Sequence, residues 1–139
     1  MTDLSTVDPV AIVLTALKAD STVVAAFGDA SHISGIYEAP WPHLRVTDGA
    51  SGDMGELRWL INPEVRIEVY GDEANLVSEA ECRRLLLVAA LAVKRLETAT
   101  STAGQPTVTG VEVAGVPTNE PLTSGQTKFS LNLLIGCHP

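Results

Sequence analysis

The strongest pattern in the chain is an alternation of apolar and charged side chains in ELRWLINPEVRIEVYG, residues 56–71. Apolar residues occupy the odd positions from Leu57 to Val69, and polar or charged residues occupy most of the even ones. Successive side chains of a strand point to opposite faces, so this period predicts a long strand with one apolar and one charged face. Pro63 falls within it, and we expect a bulge or bend there.

Three further stretches have strand character. They are His43–Thr47, VTGVEVAGV at residues 108–116 and KFSLNLLIG at residues 128–136. The segment DGASGDMG, residues 48–55, has three glycines in eight residues, which predicts a flexible hairpin tip. PTNEPLTSGQ, residues 117–126, is too long for a tight turn and predicts the extended tip of a second hairpin.

Two segments have helical signals. In the first, Asp8 can cap, Pro9 suits the first helical position, and Asp20 can restart the helix after a kink. The second, residues 72–99, is a long helix whose middle, Leu85–Val93, is apolar on every side. A helix of that kind cannot face water, so we expect the sheet to cover one side and the first helix or another subunit to cover the rest.

The predicted order is α-β-β-α-β-β, with room for one more short strand. Alternation in most strands favours an antiparallel or mixed sheet with one covered face. The simplest architecture is a single α/β (α+β) domain over residues 1–139. It has a mostly antiparallel four-stranded sheet with two helices packed on one face.

Charge and cysteine content limit the possible partners. The net charge is −8, which argues against non-specific nucleic-acid binding and against an anionic membrane surface. No apolar run approaches the roughly 18 residues of a membrane span, and the first ten residues lack the pattern of a secretory signal. We therefore expect a chain made in the cytosol, with Cys82 and Cys137 as buried free thiols.

Catalytic motifs are absent. The three histidines are scattered, and no metal-ligand spacing, nucleophile elbow or phosphate loop is present. Glu64, Arg66 and Glu68 share one strand face, which is typical of a charge ladder on an exposed or subunit-facing surface. The sequence predicts no enzyme, with no catalytic residue, cofactor or metal.

Several features instead predict self-association. In EAPWPHLRV, residues 38–46, two prolines hold Trp41 on an extended backbone just before a strand. Our hypothesis is that Trp41 packs against Trp59 or a neighbouring subunit, because tryptophan is enriched at interface hot spots. The candidate residues for a subunit or tube interface are Trp41, Pro42, Met54, Trp59, Leu60, Arg66, Tyr70 and Leu122.

The order of elements, together with DPVAIVLTALKAD, APWPHLRVTDG, GELRWLINPEVRIEVYGD and GVPTNEPLTSGQTKFSLNLLIG, resembles the tail terminator proteins of long-tailed bacteriophages, especially those of actinobacteriophages. The resemblance implies a homo-oligomeric ring, usually a hexamer, in the neck of the virion after assembly in the host cytoplasm. Its partners would be the tail tube protein and the head-tail connector or stopper proteins. DNA would pass through the acidic lumen without specific binding, and neither catalysis nor a membrane is implied.

Two alternatives remain open at the level of sequence. The nearer one is another neck component, namely a connector, stopper or adaptor, because these proteins share small size and ring geometry. The more distant one is a small soluble enzyme or ligand-binding domain, which would need a pocket with converging polar groups.

Overall fold

The computed structural model describes residues 8–56, 60–72, 74, 76–98 and 107–138, and only the backbone at 50–56, 60, 61 and 138. Its helices and strands are, in chain order, α1 (Pro9–Ala19), α2 (Ser21–Phe27), β1 (Ile33–Ser34), β2 (His43–Glu56), β3 (Leu60–Tyr70), α3 (Glu79–Lys94), β4 (Thr107–Asn119) and β5 (Lys128–His138).

Side-chain caps place the helix starts where the sequence predicts them. The carboxylate of Asp8 accepts from the N–H of Ala11 at 3.1 Å at the start of α1. Asp20 ends α1 and caps α2 by accepting from Thr22 and Val23, and Ser78 caps α3. Because α1 and α2 are bent by 79° at Asp20, they are two helices. The structure therefore has three α-helices in its described part, where the sequence predicted two.

The sheet has the order β1-β2-β3-β5-β4. All neighbouring strands are antiparallel except β1, which runs parallel to β2 through Ile33 and Ser34. The sheet therefore has one strand more than the four of the simplest predicted architecture, a short strand for which the predicted order left room, and it is mixed. A two-residue strand has too little alternation to be recognised in a sequence.

Helices α1 and α3 pack on one face of the sheet, and α2 packs against both of these helices, so that the core lies between the helices and the sheet. Val65, Ile67 and Val69 of β3 are fully buried there, as the alternation predicts, and the apolar face of β5, from Phe129 to Ile135, is buried as well. The largest fully buried side chains include Leu17, Ile33, Leu44, Ile67, Leu85, Leu86, Leu133 and Ile135.

The glycine-rich segment 48–55 is not a hairpin tip, because it continues β2 as far as Glu56. Its pairing with β3 shifts register between Asp48 and Gly52 and again between Asp53 and Glu56. The irregularity expected at Pro63 thus lies on the partner strand, where Gly52 pairs with Pro63. Pairing between β3 and β5 keeps one register across Pro63.

Within the described residues, no single helix is long and apolar enough to cross a membrane; the bent pair α1 and α2 reaches that length and composition only when taken together. Val13, Leu17, Val23 and Phe27 of this pair are buried in the core.

Candidate assembly surface

The face of the sheet that points away from the helices carries a network of charged side chains. Cross-strand pairing brings Arg45 beside Glu68 and Glu68 beside Ser130, while Arg66 lies on the next row of β3. The charge ladder predicted from the sequence is therefore on this face. Of the two predicted settings, exposed or subunit-facing, the first is wrong for the two glutamates, because Glu68 retains only 3% and Glu64 only 8% of its accessible surface.

Glu68 lies at the centre of the network. Its carboxylate accepts from Lys128 at 2.8 Å and from Arg66 at 3.4 Å, and Arg45 lies 3.5 Å away. Three cations around one buried carboxylate compensate for its lost hydration. The sequence pattern showed Arg66 between two glutamates but could not show Lys128, which comes from another strand.

Glu120, just beyond β4, closes the network on the other side of Arg66. One guanidinium nitrogen of Arg66 donates to both carboxylate oxygens of Glu120, at 2.8 and 2.9 Å, and Ser130 donates to the same carboxylate at 2.9 Å. Burial works to raise the pKa of Glu120, but the hydrogen bonds from Ser130 and Arg66 outweigh it and hold the pKa below its ordinary value. Glu120 therefore stays ionised and ties the end of β4 to the middle of the sheet.

An aromatic cluster borders this network. The ring of Tyr37 lies 5.0 Å from that of Trp41 and 4.8 Å from that of Tyr70, centroid to centroid. The hydroxyl of Tyr37 donates to the side chain of Gln126, whose amide in turn donates to the carbonyl of Gly71. Lys128 lies 5.8 Å above the Tyr70 ring, so the cluster and the charged network form one continuous surface.

Of the predicted interface residues, Trp41, Arg66 and Tyr70 meet on this surface. Trp41 and Pro42 are half-buried, Tyr70 is buried, and Leu122 lies in the turn after β4. Met54 and Leu60 lie in β2 and β3, with their backbones alone described, and Trp59 falls outside the described residues. Trp41 packs on Tyr37 and lies 6.3 Å from His43, so its packing within the chain involves residues that the sequence hypothesis did not name.

The outer edge of β4 carries a side-chain cap that the sequence did not reveal. Lys94, at the end of α3, donates to the carbonyl of Val111 at 2.6 Å, and Glu97 accepts from the N–H of Val111 at 2.7 Å. Lys94 and Glu97 also pair with each other at 2.6 Å. The hydrogen bonds from Lys94 and the Val111 N–H hold the pKa of Glu97 below its ordinary value. The spacing of three residues between Lys94 and Glu97 was the only signal of this cap in the sequence, and such pairs are common in helices.

An open groove of about 570 Å³ lies beside this cap. Lys94, Glu97 and the β4 residues Thr109–Val113 line one part of it, and Asn62, Leu134 and Gly136 line another. Within the described part of the chain, no group of three or more His, Cys, Asp or Glu side chains could hold a metal ion. The predicted buried free thiols are confirmed: burial raises the pKa of both Cys82 and Cys137 to about 11.

Part of α3 faces solvent. The sheet and the pair α1–α2 cover most of the helix, as expected, but Leu87 is 48% and Leu91 is 58% exposed. The sheet and the first helices therefore do not cover the whole of α3, and cover by another subunit, the other part of the expectation, stays a prediction.

The fold is shared with a protein of known structure. One similar chain belongs to a structure described as "Virion of native gene transfer agent (GTA) particle", with a TM-score of 0.66 and 13% sequence identity. The alignment covers 96% of this chain and 100% of that one. No family model and no curated protein matches this sequence. At this identity the likeness establishes a common fold.

Proposed function

We propose that the chain is a structural protein of a phage-like virion, and specifically a tail terminator. In this role a ring of identical subunits, a hexamer by the family resemblance, closes the head-proximal end of the tail tube. The ring stops further polymerisation of the tube protein and offers a docking surface to the connector or stopper proteins. DNA passes through its lumen without specific binding, as the net charge of −8 favours.

The observation that carries the proposal is the fold likeness to a chain of the gene transfer agent virion over 96% of this chain and 100% of that one. End-to-end coverage means that the whole chain, rather than a shared substructure, has the fold of that virion component. The finer assignment to a terminator is supported by the sequence resemblance, which extends over nearly the same length.

The chemistry of the open sheet face agrees with a structural role. Its cations and carboxylates are engaged with one another, as Glu68 and Glu120 illustrate. A catalytic carboxylate usually has its pKa raised by burial or by a like charge. The pKa of Glu120 is instead lowered by its partners.

The test is electron microscopy of particles produced when the gene is disrupted, with a copy of the intact gene supplied in trans as the control. Tails of uncontrolled length beside separate filled heads are expected, and the control should restore tails of normal length. Tails of normal length lying detached from heads would assign the chain to another neck component. Intact infectious particles would contradict a role in the neck altogether.

A further inference from the structure

The cap on Val111 reveals which way the backbone of β4 points. The N–H of Val111 donates to Glu97 and its carbonyl accepts from Lys94, so both groups face away from β5. In an antiparallel strand, every second residue turns both groups to the same side. Pairing with β5 is regular from Gly110 to Ala114, so the N–H and C=O of Val113 also point outward.

Beyond the cap, the edge of β4 is open. Among the described residues, β4 pairs only with β5, and Val113 and Val116 are 45% and 74% exposed. Beyond Ala114 this edge is irregular: Gly115 has a φ of 104°, Pro117 has no N–H, and the pairing with β5 shifts register between Ala114 and Thr118. An exposed strand edge with apolar side chains is a template for another strand. The open half of this edge is Glu112–Asn119.

On the opposite side of the sheet, part of the outer edge of β2 is also open. Strand β1 pairs with Leu44 and Arg45 of β2, and Gly35 lies beside the carbonyl of Val46. From Thr47 to Glu56, no strand in the described part of the chain pairs with the outer side of β2. Three antiparallel steps separate β2 from β4, so the two edges run in opposite directions.

We propose that the open edge of β4, Glu112–Asn119, pairs antiparallel with the open edge of β2, Thr47–Glu56, of a second copy of this chain. Such a contact is head-to-tail, and each subunit keeps one free edge of each kind until a ring closes. The choice of a head-to-tail contact over a twofold one rests on the proposed ring function. The choice of β4 and β2 as the pairing edges rests only on the strand directions and on the outward N–H and C=O groups.

The two covered halves determine how the copies can meet. The row Asp48–Val65–Leu133–Val113 crosses the sheet, so Val113 is level with Asp48. Suppose that the second copy is placed with its Asp48 beside Val113 of the first. On one side of this row the Lys94–Glu97 cap would then block β4, and on the other side β1 would block β2. The open halves therefore pair only when neighbouring subunits are staggered along the strand direction, as strands in closed sheets are.

A second copy fits these edges better than an unrelated strand. Both halves of the contact belong to the same chain, and their directions give the antiparallel pairing in which hydrogen bonds are best aligned. A twofold contact between two β4 edges would also be antiparallel. It would stop at a dimer and leave the longer β2 edge uncovered.

The decisive variant is Val113→Pro, with Val113→Ala as its matched control. Proline removes the outward N–H of Val113 but no hydrogen bond to β5, and proline is tolerated on strand edges. We expect V113P to keep the far-ultraviolet circular dichroism of the wild type and to lose ring assembly by at least about tenfold in sedimentation velocity, whereas V113A assembles. If folded V113P assembles as V113A does, the proposal is overturned.

Cross-linking identifies the partner edge and does not depend on V113P folding. Val116→Cys and Ser51→Cys are combined in one chain, treated with a short bismaleimide and run on a denaturing gel. Cys82 and Cys137 are buried and leave the two new thiols as the reactive ones. We expect a ladder that extends past the dimer from the double variant and monomers from each single variant. Dimers from V116C alone would show a β4–β4 contact and overturn the proposal, as would the absence of any ladder.

The two proposals fail separately. If the ladder forms but disruption of the gene leaves particles intact, edge pairing stands and the terminator function falls. If disruption gives overlong tails and the double variant gives no ladder, the function stands and the edge pairing falls.

Discussion

Glu68 is the residue on which the open sheet face depends. Its side chain is 4% exposed, and its carboxylate faces Lys128, Arg66 and Arg45. Removing its charge leaves three cations close together with one fewer acceptor, a change that usually costs more than the lost bonds themselves.

We expect Glu68→Gln to lower the free energy of unfolding by roughly 1–3 kcal/mol, the range for leaving buried polar groups unsatisfied. Urea denaturation followed by circular dichroism measures this. Glu112→Gln, at an exposed position of β4, is the control and should change stability by less than about 0.5 kcal/mol. Equal effects of the two variants would mean that the network contributes nothing beyond surface charge.

Gly49 shows why a glycine-rich segment can be a strand. A Cβ placed on Gly49 would lie 2.4 Å from Cγ of Glu64, which is itself buried. The missing side chain therefore makes room for Glu64 on the neighbouring strand. A Cβ on Gly110 would meet nothing within 4 Å.

Gly49→Ala is accordingly expected to lower the melting temperature, at a cost of about 1–3 kcal/mol for overpacking. Gly110→Ala should leave it unchanged or raise it slightly, because alanine reduces the entropy of the unfolded chain. Differential scanning calorimetry of both variants provides the comparison. If G49A is as stable as G110A, Glu64 moves aside freely and the glycine has no packing role.

At the scale of the element, α3 is buried unevenly. Leu86 is fully buried and its chain neighbour Leu87 is 48% exposed, although both lie in the same apolar run. Truncating a core leucine removes transfer free energy and leaves a cavity, whereas truncating an exposed one does neither to the same extent.

Leu86→Ala should therefore cost about 2–5 kcal/mol, and Leu87→Ala less than about 1 kcal/mol, in the monomeric chain. Chemical denaturation at a low protein concentration, where the chain is monomeric, measures both. A large cost for L87A under those conditions would mean that Leu87 is covered within the chain itself.

The elements differ in how far the sequence predicts them. Strands β3 and β5 follow from alternation, and α1 and α3 follow from their caps and apolar positions, since these signals are local. The second half of β2 was missed because its side chains do not alternate and glycine disfavours strands; pairing with β3 overrides both. The cap of Lys94 and Glu97 on Val111 could not be predicted, because it depends on the end of α3 lying beside β4.

The candidate surface was predicted only in part, for the same reason. Arg66, Tyr70 and Trp41 were identified as residue types that favour interfaces, and they do share one face of the sheet. Lys128 and Glu120 complete that surface from distant parts of the sequence, and only the strand order β2-β3-β5-β4 brings them beside Arg66 and Tyr70. Tyr37 is close to Trp41 in the sequence, but its contact with Tyr70 depends on the folded chain.

At the scale of the whole molecule, the two sheet faces and the two sheet edges are all different. The helices cover one face, the charged network lies on the other, and the open edges belong to β2 and β4. In the proposed terminator ring, a subunit with these four distinct surfaces would contact its neighbours through the two edges and keep one face for the tube and the other for the connector.

The stability of the whole fold should decline in mild acid, and His43 is the reason. The side chain is fully buried at the start of β2, and burial lowers its pKa below the ordinary 6.5, against the opposing influence of Glu38. As the pH falls below 6.5, His43 of the unfolded chain binds a proton that His43 of the folded chain does not bind. Protonation therefore stabilises the unfolded state, and the free energy of unfolding decreases. The free energy of unfolding continues to fall until the pH reaches the pKa of His43 in the folded state, with a slope of at most about 1.4 kcal/mol per pH unit for one proton.

Urea denaturation at several pH values between 7 and 5 measures this slope. The variant His43→Gln keeps a polar side chain and should flatten the slope, whatever the stability of the variant at neutral pH. Identical slopes in the two proteins would assign the acid sensitivity to other groups.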